Sequence, residues 1–122
     1  MADEITLTLP REPAFQSVAH LVLGGLATRL NLTLENLEDL QLALSALIAG
    51  GDGGAPTAVT VRMTIHDDAL QIVVGPLDRK VLDAVDRGAR DELDIRRVLE
   101  STVDDILVDG DSVRLTKQVA LG

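Results

Sequence analysis

The chain has no cysteine, no tryptophan and no tyrosine, and Phe15 is its only aromatic residue. The absence of thiols excludes disulfides, thiolate catalysis and cysteine-based metal sites. The two histidines, His20 and His66, are far apart in the sequence, so we expect no metal site built on them. With a single aromatic residue, the core must be packed from aliphatic side chains, which raise the hydrophobic fraction to 46%.

Basic residues are also scarce, with 11 Lys and Arg against 20 Asp and Glu and a formal net charge of -9. This balance argues against binding to nucleic acid, which needs a positive surface, and against anionic membranes. It suits a partner protein that carries a basic patch. No stretch of ~18 apolar residues predicts a membrane span, and the start of the chain has no apolar signal region. We therefore expect a cytoplasmic protein with one domain over residues 1–122.

One long helix, predicted from Thr33 onward, organises the rest of the chain. Thr33 is a suitable N-cap, and acidic residues follow it near the positive end of the helix dipole. Apolar residues then recur at three- and four-residue spacing, which predicts a buried stripe. A glycine-rich segment begins at Gly50 and ends the helix. The stripe consists of Leu37, Leu40, Leu44, Leu47 and Ile48.

The other elements follow from alternation, helical spacing and turn signals. A strand at 5–9 precedes a helix from Phe15 to Leu30, and strands at 59–65 and 70–74 form a hairpin around a turn at His66-Asp67-Asp68. Asp78 is the predicted cap of a short helix that ends at Gly88. We expect a further helix from about Arg90 to Val103, and a final hairpin whose strands run from Ile106 to Val108 and from Val113 to Val119.

The predicted order is β-α-α-β-β-α-α-β-β, which favours an α+β fold. Each strand has one apolar face, so the helices should cover one side of a mixed or antiparallel sheet in a two-layer α/β sandwich. The outer face of the sheet should be polar, with Thr6, Thr8, Thr60, Arg62, Thr64, Arg114, Thr116 and Gln118.

The segment LEDLQLALSALIAGG resembles the N-box helix of the GHKL superfamily, the histidine-kinase-like ATPases. It is most similar to the bacterial anti-sigma-factor serine kinases, whose frame fits Asp39 to Leu44. The segment RRVLESTVDDILVDGDSVRLTKQV resembles the C-terminal helix and final hairpin of that family, which also has the same element order. The resemblance implies a GHKL ATPase-like fold, and one histidine-kinase-like ATPase domain over residues 1–122.

The same resemblance indicates a degenerate nucleotide pocket. The catalytic glutamate of the family falls on Ala46, and its magnesium-binding asparagine falls on Gly50. VVGPLDRK occupies the DxGxG region, where Gly75 corresponds to one glycine and Asp78 lies late for the adenine-binding aspartate. ARDELDIRRV, which has no glycine, stands where a second glycine-rich segment should hold phosphates. We therefore expect no catalytic residue, no metal and no cofactor.

Three functions remain open. The first is a non-catalytic regulator, of anti-sigma-factor type, that binds a sigma factor or an anti-anti-sigma partner. The second is a serine kinase with displaced catalytic groups, and the third is a nucleotide sensor. ATP and magnesium are expected as cofactors only for these two functions. If the chain is a non-catalytic regulator, we expect a partner surface or a homodimer interface at the first strand and around Phe15 and His20. Phe15 could equally fill the core.

Overall fold

A computed structural model of the chain describes residues 3–10, 13–30, 32–49, 58–66, 69–87 and 95–118. The elements follow the predicted order of strands and helices. They are β1 (Asp3–Pro10), α1 (Pro13–Leu30), α2 (Leu34–Ala49), β2 (Ala58–His66), β3 (Ala69–Gly75), α3 (Arg79–Arg87), α4 (Ile95–Thr102), β4 (Asp105–Asp109) and β5 (Ser112–Gln118).

The five strands form one sheet in the order β1-β2-β3-β5-β4, and every neighbouring pair is antiparallel. The four described helices pack on one face of this sheet, because alternate strand residues turn their apolar side chains to that face. The predicted α+β two-layer sandwich is therefore confirmed. The other face carries the predicted polar side chains, none of which is buried.

The core lies between the sheet and the helices and consists of aliphatic side chains. Its members on α2 include Leu40, Leu44 and Leu47, which are at most 1% exposed, and Ile48, so the predicted buried stripe is confirmed at these positions, whereas Leu37 is only partly buried.

On α1 the helical spacing of apolar residues predicts a buried stripe, which consists of Phe15, Val18, Ala19, Val22, Leu26 and Leu30. Of these, Ala19 and Leu26 are buried, and Val18 and Val22 are partly buried against the core. The prediction missed Leu23, which is fully buried because it stands four residues after Ala19 on the same helix face.

The start of α2 follows from its cap. The backbone N–H of Asn36 donates to Thr33 Oγ1 at 3.0 Å, and the N–H of Leu37 donates to the Thr33 carbonyl at 3.0 Å. Leu32 and Leu37, which flank this cap, both pack against the core. The Thr33 hydroxyl thus satisfies one of the backbone donors that the first turn leaves open, its carbonyl accepts the first regular helical hydrogen bond, and the predicted N-cap is confirmed.

Several element boundaries differ from the predicted ones by one or two residues, as at the start of β1 (Asp3) and of α1 (Pro13). His66 was predicted to be in a turn but is the last residue of β2, where it pairs with Ala69, since the antiparallel ladder continues past Ile65. The fourth helix ends at Thr102, one residue before the predicted end. Its predicted start at Arg90, the turn residues 67–68 and the predicted last strand residue Val119 lie outside the described residues.

Candidate functional site

The connection from β3 to α3 contains two residues of the predicted degenerate pocket, Gly75 and Asp78. Gly75 is the last residue of β3 and is joined to Pro76 by a cis peptide bond. A Cβ atom added at Gly75 would overlap the Ser112 side chain and lie 3.0 Å from the Ser112 Cα. Only glycine fits this approach between β3 and β5, so the packing of the sheet explains Gly75 without a nucleotide.

The hairpin of β4 and β5 also holds the backbone directly after Gly75. The N–H of Leu77 donates to the carbonyl of Asp111 at 2.8 Å, and Leu77 itself is buried, 4% exposed. This hydrogen bond and the buried side chain fix the path of the chain toward α3. The segment is therefore anchored at Gly75 and at Leu77 by contacts within the fold.

Asp78 serves as the N-cap of α3. Its carboxylate Oδ1 accepts the backbone N–H of Lys80 at 3.3 Å, and its carbonyl accepts the N–H groups of Val81 and Leu82 at 3.0 and 3.1 Å. The capping role predicted from the sequence is thus confirmed. This capping contact gives the carboxylate of Asp78 a structural role at the start of α3.

Ala46, which the resemblance aligns with the catalytic glutamate, is half-buried on α2. Its methyl group has no ionisable or hydrogen-bonding atom. The preceding residue, Ser45, has its Oγ 2.8 Å from His20 Nε2, so this polar contact joins α2 to α1. Gly50, the counterpart of the magnesium-binding asparagine, lies outside the described residues.

His20 and Phe15, the predicted partner-binding residues, are both on α1. The hydrogen bond to Ser45 directs the half-buried His20 ring toward α2, so His20 links the two helices. Phe15 lies in the first turn of α1, but its side chain is outside the described part of the structure. The structure thus places His20 in contact with Ser45, the residue before Ala46, and the sequence spacing did not predict this contact.

The first strand lies at one edge of the sheet, as the prediction of a partner surface supposed. Its outer face carries Thr6 and Thr8, which are exposed, and Thr8 Oγ1 lies 3.0 Å from Thr60 Oγ1 on β2. Among the described residues, no strand pairs with the outer edge of this eight-residue strand. On α1 the side chain of Leu21 is 75% exposed.

A polar cluster around Lys117 was not predicted. Lys117 Nζ donates to the carbonyl of Thr102 at 2.8 Å and to Asp39 Oδ2 at 3.3 Å, and the two charged side chains are 14% and 30% exposed. The cluster joins β5 to the end of α4 and to α2. The signal was in the alternation of β5, since Val113, Leu115 and Lys117 share the apolar face and a lysine there needs partners.

The described part of the chain has neither a metal-binding cluster nor a membrane-spanning helix. No group of three or more His, Asp or Glu side chains among the described residues is arranged to hold a metal ion. In the same part of the chain, no helix is both long and apolar enough to cross a membrane. The described side chains around Ala46 and Gly75 make packing contacts and hydrogen bonds within the fold.

Comparison with curated proteins finds similarity to serine-protein kinases named RsbW. The protein of Listeria monocytogenes serovar 1/2a is 35% identical over 79 residues, which cover 61% of this chain and 50% of that protein. The Bacillus pumilus protein is 30% identical over 79 residues, covering 59% and 49% of the two chains. The Bacillus subtilis protein is 28% identical over 78 residues, covering 60% and 49%.

The chain spans about half the length of the curated relatives it matches. No protein-family model matches it. The similarity to several kinases that share one name, together with the confirmed fold, indicates that this chain is a distant homologue of those kinases. It confirms the resemblance to the serine kinases of the GHKL superfamily that was drawn from the helix around Ala46.

Proposed function

We propose that this distant homologue of the RsbW serine-protein kinases is a non-catalytic regulator that acts in the cytoplasm by binding another protein. The partner is of sigma-factor or anti-anti-sigma type, as the relationship suggests. One observation carries the proposal: the position that corresponds to the catalytic glutamate of such kinases is Ala46. An alanine cannot take a proton from an attacking hydroxyl group, so the reaction lacks its general base.

The other residues of the degenerate pocket support the same proposal. Gly50, the counterpart of the magnesium-binding asparagine, has no side-chain oxygen to offer a metal ion. Gly75 is needed for the close packing against Ser112, and Asp78 caps α3. Each of these residues either lacks the required group or has a role in the fold, and we propose that the chain uses neither ATP nor magnesium.

The surface that we propose for partner binding or for a homodimer is the exposed edge of β1 with the adjoining α1. The unpaired backbone groups of β1 can add a strand from another chain, and the exposed Leu21 supplies apolar contact on the helix. Because the chain is acidic, a basic partner would be attracted to it, and association should slow as the salt concentration rises.

Phosphotransfer to a candidate anti-anti-sigma protein tests the proposal. The intact chain is mixed with that protein, a sigma factor from the same cell and radiolabelled ATP, and complex formation and labelling are followed together. We expect a complex that forms equally well without ATP, and no transfer of phosphate. Transfer at a rate typical of protein kinases, ~1–100 per second, would show that the chain is a kinase.

Two alternatives use the same fold differently. A serine kinase with displaced catalytic groups would both bind ATP and transfer phosphate, whereas a nucleotide sensor would bind ATP without turnover. Titration with ATP separates both from the non-catalytic regulator, and phosphotransfer separates them from each other. No described contact favours either alternative over the proposed regulator.

A double variant tests whether the pocket lacks more than two side chains. Ala46→Glu with Gly50→Asn restores the general base and the metal ligand that the resemblance assigns to these positions. We expect no recovery of ATP hydrolysis, because the adenine-binding aspartate and the second glycine-rich segment are still missing. Turnover by the double variant, with none by either single variant, would mean that the rest of the pocket is intact.

A further inference from the structure

The strand at the far edge of the sheet, β4, has no part in the proposed function. It pairs with β5 on one side, and no strand among the described residues pairs with its other side. β1 lies at the opposite edge of the sheet, four strand spacings or about 19 Å away. A partner that binds to β4 would therefore occupy a surface separate from β1 and α1.

Two residues of β4 direct their backbone hydrogen-bonding groups toward the free side. Asp109 and Ser112 flank a two-residue turn, across which they form a hydrogen-bonded pair. Hydrogen-bonded and non-hydrogen-bonded pairs alternate along an antiparallel ladder, so the outward N–H and C=O groups belong to Ile106 and Val108. These groups offer two donors and two acceptors to an added strand.

The apolar centre of β4 leaves surface for such a strand to cover. Ile106 and Val108 face the helices but are only half-buried, whereas their partners on β5, Leu115 and Val113, are at most 1% exposed. The described helices therefore cover β5 fully and the free side of β4 incompletely. Leu107, on the outer face of the sheet, is 50% exposed.

Two aspartates flank this apolar centre. Asp105 and Asp109 stand two residues before and two residues after Leu107, so all three side chains lie on the outer face of the sheet. Asp105 is exposed, and Asp109 Oδ2 lies 4.0 Å from Arg114 Nη2 in an exposed ion pair that contributes little. From 104 to 114 the chain has four aspartates and one arginine. The charge at this edge therefore favours a basic partner.

We propose that β4 binds an extended basic segment of a partner protein, which joins the sheet as an additional strand antiparallel to β4. Directly opposite residues in such a pair have Cβ atoms about 4.5–5.5 Å apart, and opposite charges there are favourable. Lysine or arginine at positions i and i+4 of the segment stands opposite Asp109 and Asp105. An apolar residue at i+2 stands opposite Leu107, and the backbone groups at i+1 and i+3 pair with Val108 and Ile106.

A second copy of β4 fits this edge less well than a basic segment. Antiparallel pairing of two β4 strands, centred on Leu107, places Asp105 of one strand opposite Asp109 of the other, twice in one interface. Like charges directly opposite each other destabilise a strand pair, and the net charge of -9 adds a general repulsion. The aspartates thus protect the edge from self-association and leave it open to a basic segment.

The test uses the full chain and a fluorescent peptide of about nine residues, with lysines at i and i+4, leucine at i+2 and threonines elsewhere. The control peptide has the same sequence, but N-methyl groups block the amides at i+1 and i+3, which face β4. Both peptides carry the same charge. An anisotropy that rises only with the first peptide therefore shows strand pairing rather than attraction by charge alone.

Two variants of the chain test the charge pairs. Asp105→Asn and Asp109→Asn should each weaken binding of the first peptide about two- to fivefold, since each removes one opposite-charge cross-strand pair. The hairpin should survive the second change, because Asn-Gly forms this kind of turn as readily as Asp-Gly. Glu4→Gln is the matched control, because it removes an exposed negative charge at the β1 edge, and it should leave the affinity unchanged.

Hydrogen exchange of backbone amides locates the binding site. The amides of Ile106 and Val108 should exchange about tenfold or more slowly once the first peptide is bound at saturation. Equal binding of both peptides, or a loss in the Glu4 variant equal to that in the aspartate variants, would overturn the proposal. Unchanged exchange at Ile106 and Val108, or no binding at millimolar peptide, would also overturn it.

This inference goes beyond the proposed regulator, and the two can fail separately. Binding of Mg-ATP or phosphotransfer would overturn the non-catalytic function and leave the peptide result standing. Failure of the peptide to bind would overturn the β4 site, while a partner complex at β1 and α1 would be unaffected.

Discussion

Replacement of Gly75 by alanine separates a packing role for this glycine from a nucleotide-binding role. The added methyl group would overlap the Ser112 side chain and lie 3.0 Å from its Cα. Overpacking of this kind typically costs about 1–3 kcal/mol. In an unstrained position the same change stabilises by about 0.4–1 kcal/mol through the unfolded chain. We therefore expect Gly75→Ala to lower the free energy of unfolding by about 1–2 kcal/mol.

Urea denaturation, followed by far-ultraviolet circular dichroism because the chain lacks Trp and Tyr, measures this loss. Ser112→Ala in the same chain removes the overlapping hydroxyl oxygen and should restore part of the stability, a coupling of about 0.5–1 kcal/mol. Recovery should be incomplete, because the Cβ and Cα atoms of residue 112 still lie too close to the new methyl group.

Gly25→Ala is the control, because a Cβ atom at this exposed helical position meets no atom within 4 Å. It should stabilise the chain by about 0.5–1 kcal/mol, as alanine is the better helix former. A Gly75→Ala variant as stable as the original chain would refute the packing argument. Gly75 would then need another explanation, with the nucleotide pocket the first to consider.

Four further substitutions test the core and the polar contacts. Leu44→Ala should cost about 2–5 kcal/mol because Leu44 is fully buried, whereas Leu42→Ala, at a 54% exposed position on the same helix, should change stability by less than about 0.5 kcal/mol. Ser45→Ala removes the contact with His20 and should cost about 1 kcal/mol. Lys117→Met removes two hydrogen bonds from Nζ and should cost about 1–3 kcal/mol. Chemical denaturation measures each value, and equal losses in the two leucine variants would mean that the assigned buried face of α2 is wrong.

The architecture could be predicted from the sequence because its signals are local and agree with one another. Alternation in the strands and helical spacing around Leu40 and Leu44 fixed both the buried faces and the element order, and the cap at Thr33 marked the start of α2. In the hairpins β2–β3 and β4–β5 the antiparallel register then follows from the short connection and from the apolar face of each strand. These features need no knowledge of distant contacts.

The polar contacts could not be predicted in the same way, because each joins residues distant in sequence. The contact of His20 with Ser45 depends on how α1 packs on α2, and the ion pair of Lys117 with Asp39 depends on the positions of β5 and α2. The approach of Gly75 to Ser112 likewise requires the strand order, which places β5 beside β3. The predicted roles of Phe15 and Gly50 stay predictions.

Isothermal titration of the intact chain with Mg-ATP tests the central claim most directly. The pocket that the resemblance assigns has Ala46 where a general base is needed and Gly50 where a metal ligand is needed. We predict no measurable heat of binding at high micromolar protein concentration and millimolar nucleotide. Saturable binding with a micromolar dissociation constant would contradict the account, since it would mean that this chain holds a working nucleotide site.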